Sequence, residues 1–527
     1  MKLKKLHIPN HKGFVNFQTT FDLSSPITTI IGQNGVGKSN LIEIIVSIFR
    51  SIDLGEKTDF DYTLLYECHG NDIQIKVDNS NKPQSLVAVN GTKRSLKYLR
   101  DHADECLPNN VFTYYSGTNW RVEELFVKHQ TQFYKRLTDG KDEELRRFFY
   151  CRDEHSFFVL LAFLVDKDPA CLDILGKLGI ESLDSVLFCL KKPYWYNGKP
   201  SQVQLETGDP RFWYSRGVVK EFLNTLWDYS IAPIDNKERK SIDFRGRTEN
   251  QDRLYLFVHN DKSLRNFASN YKSSTEFFKH LESTYIADLI EEVSVTVNLT
   301  NGQKLTFSAL SEGERQLLTV LGLMKFTRDD ESLFLLDEPD THLNPRWKMD
   351  YFDRIESILN AVNPSTGANG LESSQILLTT HDPLMLTSLR ADQIRVLSEC
   401  DNSNKISEKP DFDPINQGIE AIIQSELYGI RTSFDREIQR KIDLRNRLAS
   451  KEILSSKLKM KLMELNNELD AIGISHNHPN PYFSNFAKVM SKDPLFRKSY
   501  LSFEEYESAQ RKSHDILDKL LKDEGKQ

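Results

Sequence analysis

The feature that most constrains this sequence is a glycine-rich segment between a predicted strand and a predicted helix. Residues 27–31 (Ile-Thr-Thr-Ile-Ile) are apolar and β-branched, which is typical of a buried strand, and residues 40–45 continue as a buried helix. The segment between them reads Gly32-Gln33-Asn34-Gly35-Val36-Gly37-Lys38-Ser39. A strand, the spacing G-x-x-x-x-G-K-S and a helix in this order predict a phosphate-binding loop, because a chance glycine-rich turn would lack these flanks.

The chemistry of this loop predicts how a nucleotide is held. Its glycines let backbone N–H groups close around phosphates, and the helix N-terminus adds a positive dipole. Lys38 is expected to reach the β- and γ-phosphates, and the Ser39 hydroxyl is expected to bind Mg²⁺. We assign these loop residues and the one that follows to nucleotide binding: Gly32, Asn34, Gly35, Gly37, Lys38, Ser39 and Asn40.

A second apolar strand ends in two carboxylates. Residues 333–336 (Leu-Phe-Leu-Leu) predict a parallel strand buried on both faces, and Asp337 and Glu338 follow it. Asp337 can hold the hydration shell of Mg²⁺, and Glu338 can act as general base on the attacking water. An ordinary strand with a polar end is the alternative, and the phosphate-binding loop upstream argues against it.

Two more segments could contact phosphate. Ser311 and Gly313 begin a predicted helix, whose hydroxyl, free N–H groups and dipole would attract an anion. Taken alone, Ser311 would be an ordinary helix cap. His381 ends another apolar strand at residues 375–380, and a lone histidine in such a place is usually structural.

The order and spacing of these four segments resemble the ABC-type, SMC-like AAA ATPase superfamily. The resemblance covers residues 1–50 and 290–400. It implies an α/β fold, a P-loop ATPase head of the ABC/SMC type, with ATP and Mg²⁺ as cofactors and hydrolysis of ATP to ADP and phosphate as the reaction. It also implies that two protomers sandwich two ATP molecules head to tail, so that hydrolysis requires dimerisation.

The resemblance further assigns roles to individual residues. It implies that residues 310–316 (Leu-Ser-Glu-Gly-Glu-Arg-Gln) form the signature motif, in which Ser311, Gly313 and Glu314 bind ATP of the partner protomer. His381 stands where the superfamily carries its switch histidine, which makes His381 and Glu338 the expected catalytic residues. The metal ligands are expected to be Ser39 and Asp337.

Four positions receive weaker assignments from the same resemblance. His342 and Asn344, in the D-loop that follows Glu338, would face the dimer seam, although His342 could equally be a simple loop residue. Lys12 lies where related ATPases contact the nucleotide near its base, with a solvated lysine as the alternative. Ser116 stands where the superfamily normally has a magnesium-sensing glutamine, which is missing from this chain.

Short stretches resemble the PtuA ATPases of Septu-type anti-phage systems, including the retron-associated ones. They are the signature, residues 335–345 and residues 425–431 (Ser-Glu-Leu-Tyr-Gly-Ile-Arg). The resemblance implies a subunit that forms an ATP-dependent homodimer or a higher oligomer and controls a separate, PtuB-like HNH nuclease. In retron-associated systems a reverse transcriptase and its msDNA would join them. A DNA-repair ATPase similar to RecF or SMC proteins is the alternative.

The predicted organisation has four parts: an N-terminal ATPase lobe at 1–119, a mostly helical insertion at 120–290, a C-terminal ATPase lobe at 291–400 and a helical, partner-docking region at 401–527. Within the insertion, residues 143–165 and 216–228 predict helices and residues 197–210 predict a polar loop. Its basic clusters, Arg146-Arg147 and Lys237–Arg247, are either solvated faces or a surface for nucleic acid or a partner.

The composition fits this interpretation. The chain has 527 residues, of which 39% are hydrophobic and 28% charged, and it has no apolar run of about 18 residues that could span a membrane. We therefore expect a cytoplasmic protein. A net charge of −7 gives no global attraction to nucleic acid, and six scattered cysteines argue against a disulfide framework. Residues 362–374 and His476–His478 predict exposed loops.

Overall fold

A computed structural model describes most of the chain. The described residues are 1–82, 84–117, 119–141, 146–241, 245–327, 331–360, 373–399, 404–430, 434–449, 451, 454–471, 490, 493–498 and 501–524. They form two compact units, of which the first comprises residues 1–30, 34–381 and 399–407, and the second comprises residues 31–33, 382–398 and 408–527. In this part of the chain no helix is long and apolar enough to cross a membrane.

Eighteen strands occur in the described residues. In chain order they are β1 (Lys2–His11), β2 (Phe14–Thr20), β3 (Ile27–Gly32), β4 (Tyr62–Cys68), β5 (Asn71–Val77), β6 (Ser85–Val89), β7 (Thr92–Arg94), β8 (Val111–Tyr115), β9 (Phe148–Tyr150), β10 (Ile180–Lys191), β11 (Ile231–Ser241), β12 (Thr248–Val258), β13 (Ile290–Leu299), β14 (Lys304–Thr306), β15 (Leu333–Asp337), β16 (Gln375–Thr379), β17 (Ile394–Glu399) and β18 (Lys405–Glu408).

The described α-helices, likewise in chain order, are α1 (Lys38–Leu54), α2 (Leu96–Asp101), α3 (Ala103–Cys106), α4 (Val127–Thr138), α5 (His155–Val165), α6 (Pro169–Lys177), α7 (Gln202–Thr207), α8 (Gly217–Asp228), α9 (Asp261–Ala268), α10 (Ser274–Ile286), α11 (Glu312–Phe326), α12 (Pro345–Met349), α13 (Tyr351–Asn360), α14 (Ile419–Gln424), α15 (Arg436–Ala449), α16 (Ser456–Ala471) and α17 (Phe503–Glu524).

A parallel sheet in the first unit carries the predicted phosphate-binding loop. Its strands run in the order β3-β16-β15-β8-β9, and every residue of β15 and β16 is buried. In register, Leu336 lies opposite Leu378 on one side and Tyr114 on the other. Because parallel strands end at the same edge of a sheet, the residues that follow β3, β15 and β16 converge there.

Two antiparallel sheets accompany the parallel one in the first unit. One has the order β2-β1-β4-β5-β6-β7 and begins with a hairpin that turns at Lys12 and Gly13, where both residues have positive φ. The other has the order β11-β12-β10-β13-β14 and is built mainly from the insertion. Helix α5, almost entirely apolar, packs against α10 and α11 and so joins the insertion to the C-terminal lobe.

The structure corrects two details of the predicted insertion. The helix expected over 143–165 begins only at His155, because Phe148–Tyr150 pairs in parallel with Val111–Thr113 and completes the edge of the sheet. The polar loop expected over 197–210 contains α7, whose cap Ser201 forms a reciprocal capping box with Gln204. Strand pairing with a distant segment and local capping each outweighed the sequence pattern used for these predictions.

The basic pair Arg146-Arg147 is not a nucleic-acid surface. Arg146 is buried and its Nη1 lies 2.9 Å from Glu282 Oε1, while Arg147 Nε lies 3.3 Å from Asp53 Oδ1. Glu282 also lies 2.9 Å from Nε2 of buried His155. Burial alone would raise the pKa of Glu282, but His155 and Arg146 outweigh it and hold this pKa at about 2. This buried cluster ties α5 and α10 to the segment that precedes β9.

The second unit holds a helical hairpin within the region predicted to be helical. Helices α15 and α16 pack against each other through Leu448, Leu465 and Leu469, which are buried. In the segment 425–430, the Gly429 carbonyl accepts a hydrogen bond from the Leu501 N–H at 2.9 Å, so this segment holds the chain that leads into α17. The predictions for residues 362–372, Cys400, Arg431 and His476–His478 fall outside the described residues; the other five cysteines are free and buried.

Candidate active site

The phosphate-binding loop owes its shape to two glycines in left-handed backbone conformations. Strand β3 ends at Gly32, and α1 begins at Lys38 directly after its cap Gly37. Gly35 has φ 86° and Gly37 has φ 107°, values that a residue with a Cβ rarely adopts. Helix α1 is buried along most of its length, which fixes its N-terminus under the sheet edge. Asn34 and Gly35 remain exposed at the tip of the loop.

Lys38 is a buried cation at this edge. Its side chain is only 5% exposed, and its Nζ lies 3.8 Å from Oε1 of Glu338. Burial lowers the pKa of Lys38, while the carboxylates of Glu338, Asp337 and Asp340 act in the opposite direction. The predicted phosphate-binding lysine and the predicted general base therefore lie side by side.

Asp337 meets Ser39, the other residue assigned to Mg²⁺. The Asp337 carboxylate is buried and accepts a hydrogen bond from the Thr379 hydroxyl at 2.7 Å. Burial raises the pKa of Asp337, whereas hydrogen bonds from Thr379 and Ser39 lower it. A carboxylate beside a hydroxyl supplies the hard oxygen donors that Mg²⁺ prefers, so the residues present fit the ion. When bound, the ion neutralises charge on the β- and γ-phosphates.

Glu338 stands in a strained backbone conformation that aims its side chain at His381. Its φ is 48°, and its N–H is held by both the carbonyl and the hydroxyl of Thr379 at 3.1 Å. Its Oε1 lies 3.3 Å from Nδ1 of His381, whose side chain is 51% exposed. The left-handed conformation costs a residue other than glycine about 1–3 kcal/mol, and such strained residues are concentrated at functional sites.

The signature segment caps α11. The Ser311 hydroxyl and N–H both donate to Oε2 of Glu314, at 2.7 and 2.9 Å, and the Glu314 N–H donates back to the Ser311 hydroxyl at 3.3 Å. Ser311 is exposed, so this helix N-terminus faces outward. The Glu314 carboxylate therefore already accepts the hydrogen bonds of Ser311, the residue that the sequence assigns to binding the ATP of the partner protomer.

Gly313 lets α11 approach the D-loop closely. A Cβ at this position would collide with the carbonyl of His342. Gln316 fixes the same approach, since its Nε2 donates to the carbonyl of Pro339 at 2.8 Å. His342 lies 3.4 Å from Glu312, and Asn344 caps α12 through the Trp347 N–H. The signature helix is thereby joined to the segment that follows Glu338.

Arg121 is a site residue that sequence reasoning missed. Its Nη1 donates to Oδ1 of Asn40 at 3.0 Å, and Asn40 in turn donates to the Lys12 carbonyl at 3.1 Å. The guanidinium lies 5.5 Å from the ring centre of Tyr115, and its charge partly opposes the rise in the pKa of Asp337 that burial causes. Lys12, expected near the nucleotide base, is paired with Glu43 on α1. No local pattern around Arg121 indicates that its side chain contacts α1.

Ser116 follows β8 at the same edge. Its N–H donates to the Asp337 carbonyl at 3.3 Å, which continues the pairing of β8 with β15. It also lines a cavity of about 570 Å³ together with Trp120, Arg315, Gln316 and other residues. The residues of the phosphate-binding loop do not line this cavity, so it is distinct from the phosphate site.

Comparisons with known proteins agree with this geometry. Residues 1–163 match a family model described as AAA ATPase domain, and residues 196–387 match one described as AAA domain, putative AbiEii toxin, Type IV TA system. The chain is 21% identical over 432 residues to the Retron Vc95 probable ATPase of Vibrio cholerae serotype O1 biovar El Tor, covering 77% of this chain and 75% of that protein. It is 26% identical over 159 residues to the Septu protein PtuA of Bacillus thuringiensis, covering 27% and 37%.

Among solved structures, the SMC head domain from Thermotoga maritima aligns with 78% of this chain and all of that chain, at 13% identity and a TM-score of 0.33. The two family models span the motifs that carry the site. Together with the two relatives, they confirm the resemblance to AAA ATPases and, within them, to the retron and Septu PtuA ATPases. The predicted P-loop α/β fold and the predicted ATPase activity are confirmed as well.

Proposed function

We propose that this AAA-type ATPase is the ATP-binding and ATP-hydrolysing subunit of an anti-phage defence complex. It dimerises through ATP and controls a separate HNH-type nuclease that resembles PtuB. In a retron setting the complex also holds a reverse transcriptase and its msDNA. The observation that carries the proposal is the meeting of Lys38, Asp337, Glu338 and His381 at one sheet edge, in a chain whose relatives are named as retron and Septu proteins.

The residues at the sheet edge divide the hydrolysis between them. Lys38 and the loop N–H groups bind the β- and γ-phosphates, and Ser39 and Asp337 hold Mg²⁺. Glu338 accepts a proton from the attacking water, and its position is fixed by Thr379 and His381. His381 is close enough to Glu338 to hold it while its exposed face contacts the γ-phosphate.

The exposure of the signature helix supports the proposed dimerisation. Ser311 lies at an outward-facing N-terminus, where a phosphate held by a second copy of the chain can reach it. Gly313 and Gln316 connect that N-terminus to the segment after Glu338. The helix N-terminus that would receive the partner's phosphate is thus connected to the site that would bind the protomer's own nucleotide.

The nuclease is proposed to dock on the region 401–527. Helix α16 exposes Met460 and Met463 (73% and 67%), and Phe434 and Leu444 nearby in the sequence are also exposed. Flexible methionine side chains are common at surfaces that bind partners. The boundaries of this region and of the insertion, as predicted from the sequence, belong to the same proposal.

The test is the variant Glu338→Gln, compared with Glu206→Gln on the exposed face of α7 as a matched control. We expect Glu338→Gln to bind ATP, to hydrolyse it at least 100-fold more slowly and to accumulate an ATP-bound oligomer, measured by mass photometry. Affinity purification from the native operon, followed by mass spectrometry, should recover a small HNH nuclease. An unchanged oligomer together with no nuclease would contradict the proposal.

A repair ATPase similar to RecF or SMC proteins makes a different prediction. It requires ATP-stimulated binding of duplex DNA with a steep dependence on salt. Of the two basic clusters, Arg146-Arg147 is held in ion pairs within the fold, whereas Lys237 and Arg239 are exposed on β11, where Lys237 also pairs with Asp252. If the wild type binds duplex DNA and Lys237→Gln and Arg239→Gln abolish this binding, the result would favour the repair function.

A further inference from the structure

A lysine far from the sequence motifs lies against the phosphate-binding loop. Lys405, the first residue of β18, belongs to the same unit as residues 34–39 of the loop. A Cβ built on Gly37 would lie 2.9 Å from its Nζ, and a Cβ built on Gly13 would lie 3.1 Å from it. The ammonium also sits 4.8 Å from the ring centre of Phe14. It therefore occupies the space between the β1–β2 turn and the last glycine before Lys38.

This is an unfavourable place for a cation unless an anion is near. Gly37 caps α1, so Lys405 stands at the positive end of the helix dipole. Lys38 adds a second positive charge next to that glycine. Among the described residues, the Lys405 ammonium has no hydrogen bond and no ion pair, and its contact with the Phe14 ring is a weak attraction.

Lys12, the other lysine at this turn, differs in this respect. Its ammonium is paired with the carboxylate of Glu43 on α1. One lysine here is therefore in an ion pair, and the other faces the loop with no anionic partner in the part of the chain that the structure describes. A phosphate in the loop would supply the missing charge, since charged N–H donors bind phosphate oxygens strongly.

We propose that Lys405 is a further phosphate-binding residue of the nucleotide site, contributed by β18 from outside the known motifs. Its ligand is the phosphate chain of the bound nucleotide rather than the base. The proposal rests on the phosphate-binding loop alone and holds whether or not the protein acts in defence. It adds one residue to the nucleotide site already described and does not require a second binding site.

The test compares Lys405→Met with Lys405→Arg. Methionine keeps an unbranched stem against Phe14 and removes the charge, while arginine restores a cation. Lys409→Met is the matched control, because Lys409 lies four positions further along the chain and pairs with Asp392. Binding of ATPγS and of inorganic tripolyphosphate is measured by calorimetry in the absence of Mg²⁺, so that the result does not depend on turnover.

We expect Lys405→Met to bind both ligands about 10-fold more weakly, and Lys405→Arg to recover most of the affinity. In the presence of Mg²⁺, KM for ATP should rise by more than kcat falls. Lys409→Met should bind like the wild type. Wild-type affinity of Lys405→Met for both ligands would overturn the proposal, and a loss of affinity for ATPγS with unchanged affinity for tripolyphosphate would overturn the assignment to phosphate.

Thermal unfolding separates this outcome from misfolding. Without nucleotide, the Tm of Lys405→Met should equal or exceed that of the wild type, because a cation has been removed from a helix N-terminus. The rise in Tm on adding ATPγS should be smaller, because ligand stabilisation follows affinity. A variant that merely folds badly would lose Tm in both conditions.

Discussion

Nδ1 of His381 lies 3.3 Å from Oε1 of Glu338, the same oxygen that lies 3.8 Å from Nζ of Lys38. One carboxylate oxygen therefore has a histidine and a lysine beside it. Lys38 is buried and His381 is half-exposed, so the histidine contacts this oxygen from the open side of the site. In the proposed hydrolysis, His381 is therefore the residue that positions the general base, Glu338.

Replacing His381 should slow hydrolysis without abolishing nucleotide binding. In His381→Ala, Glu338 keeps its carboxylate but loses its orienting partner, so we expect kcat to fall about 100-fold while ATPγS affinity changes much less. Steady-state phosphate release and equilibrium binding measure the two effects. His259→Ala, at an exposed position, is the control. Equal losses of binding and turnover would show that His381 holds the substrate instead.

Removing the Thr379 hydroxyl should weaken the metal site. It donates to Asp337 and accepts from the Glu338 N–H, so Thr379→Val removes one hydrogen bond from each group at nearly constant volume. The Glu338 N–H keeps its bond to the Thr379 carbonyl, so the larger loss falls on Asp337. We expect the Mg²⁺ concentration for half-maximal ATPase activity to rise about 10-fold. Thr28→Val is a close control, since Thr28 is buried in β3 and its hydroxyl has no partner among the described residues. Its ATPase activity should stay unchanged, and a similar loss in both variants would contradict this assignment.

Adding a methyl group at Gly313 should force the signature helix away from the D-loop. The new Cβ would strike the His342 carbonyl, which is backbone and cannot rotate aside. We expect Gly313→Ala to lose about 1–3 kcal/mol of unfolding free energy and most ATPase activity. Gly176→Ala, in α6 with open space around it, should instead gain about 0.5–1 kcal/mol. Urea unfolding measures both, and a neutral Gly313→Ala would show that the helix can shift freely.

The buried Glu282 cluster should make stability depend on acid. The pKa of Glu282 in the folded protein, about 2, lies below the 4.5 of an ordinary glutamate. Its stabilisation is therefore complete above pH 4.5 and is lost as the pH falls towards 2. At pH 7, Glu282→Gln should cost about 3–5 kcal/mol, because Arg146 and His155 lose their buried partner.

Urea unfolding at several pH values tests this prediction. The difference between the wild type and Glu282→Gln should shrink as the pH falls from 4.5 towards 2. Glu221→Gln, exposed on α8, should show no such difference. A constant difference at every pH would mean that the loss comes from packing and not from charge.

The motifs of the parallel sheet were predictable because each is local. The strand, glycines, lysine and serine of the phosphate-binding loop are adjacent in the sequence, and so are Asp337 and Glu338 with their strand. The hairpins at Gly13, Gly91 and Gly302 are likewise encoded by residues at the turn itself, and the structure has strands on both sides of each.

The remaining features depend on partners that are distant in the sequence. Arg146 looked like part of a basic surface because its partner, Glu282, is 136 residues away. Arg121 and Lys405 reach the loop from segments with no pattern that points to it. The three-residue strand β9 is too short for any periodicity and exists because β8 offers it an edge. By contrast, the capping box at Ser201 and Gln204 depends on two residues that are three positions apart, so helix α7 could have been predicted from the sequence.

The contact between Ser311 and Glu314 has a consequence for how protomers meet. If the phosphate of a second protomer binds at this helix N-terminus as proposed, it arrives as a rival to an anion that is already built into the chain. Glu314 then acts as an intramolecular placeholder, and association begins only when the incoming nucleotide outcompetes it. By mass action, such a placeholder raises the ATP concentration at which the protomers assemble, because only the fraction of the protein whose serine is open can bind the incoming phosphate.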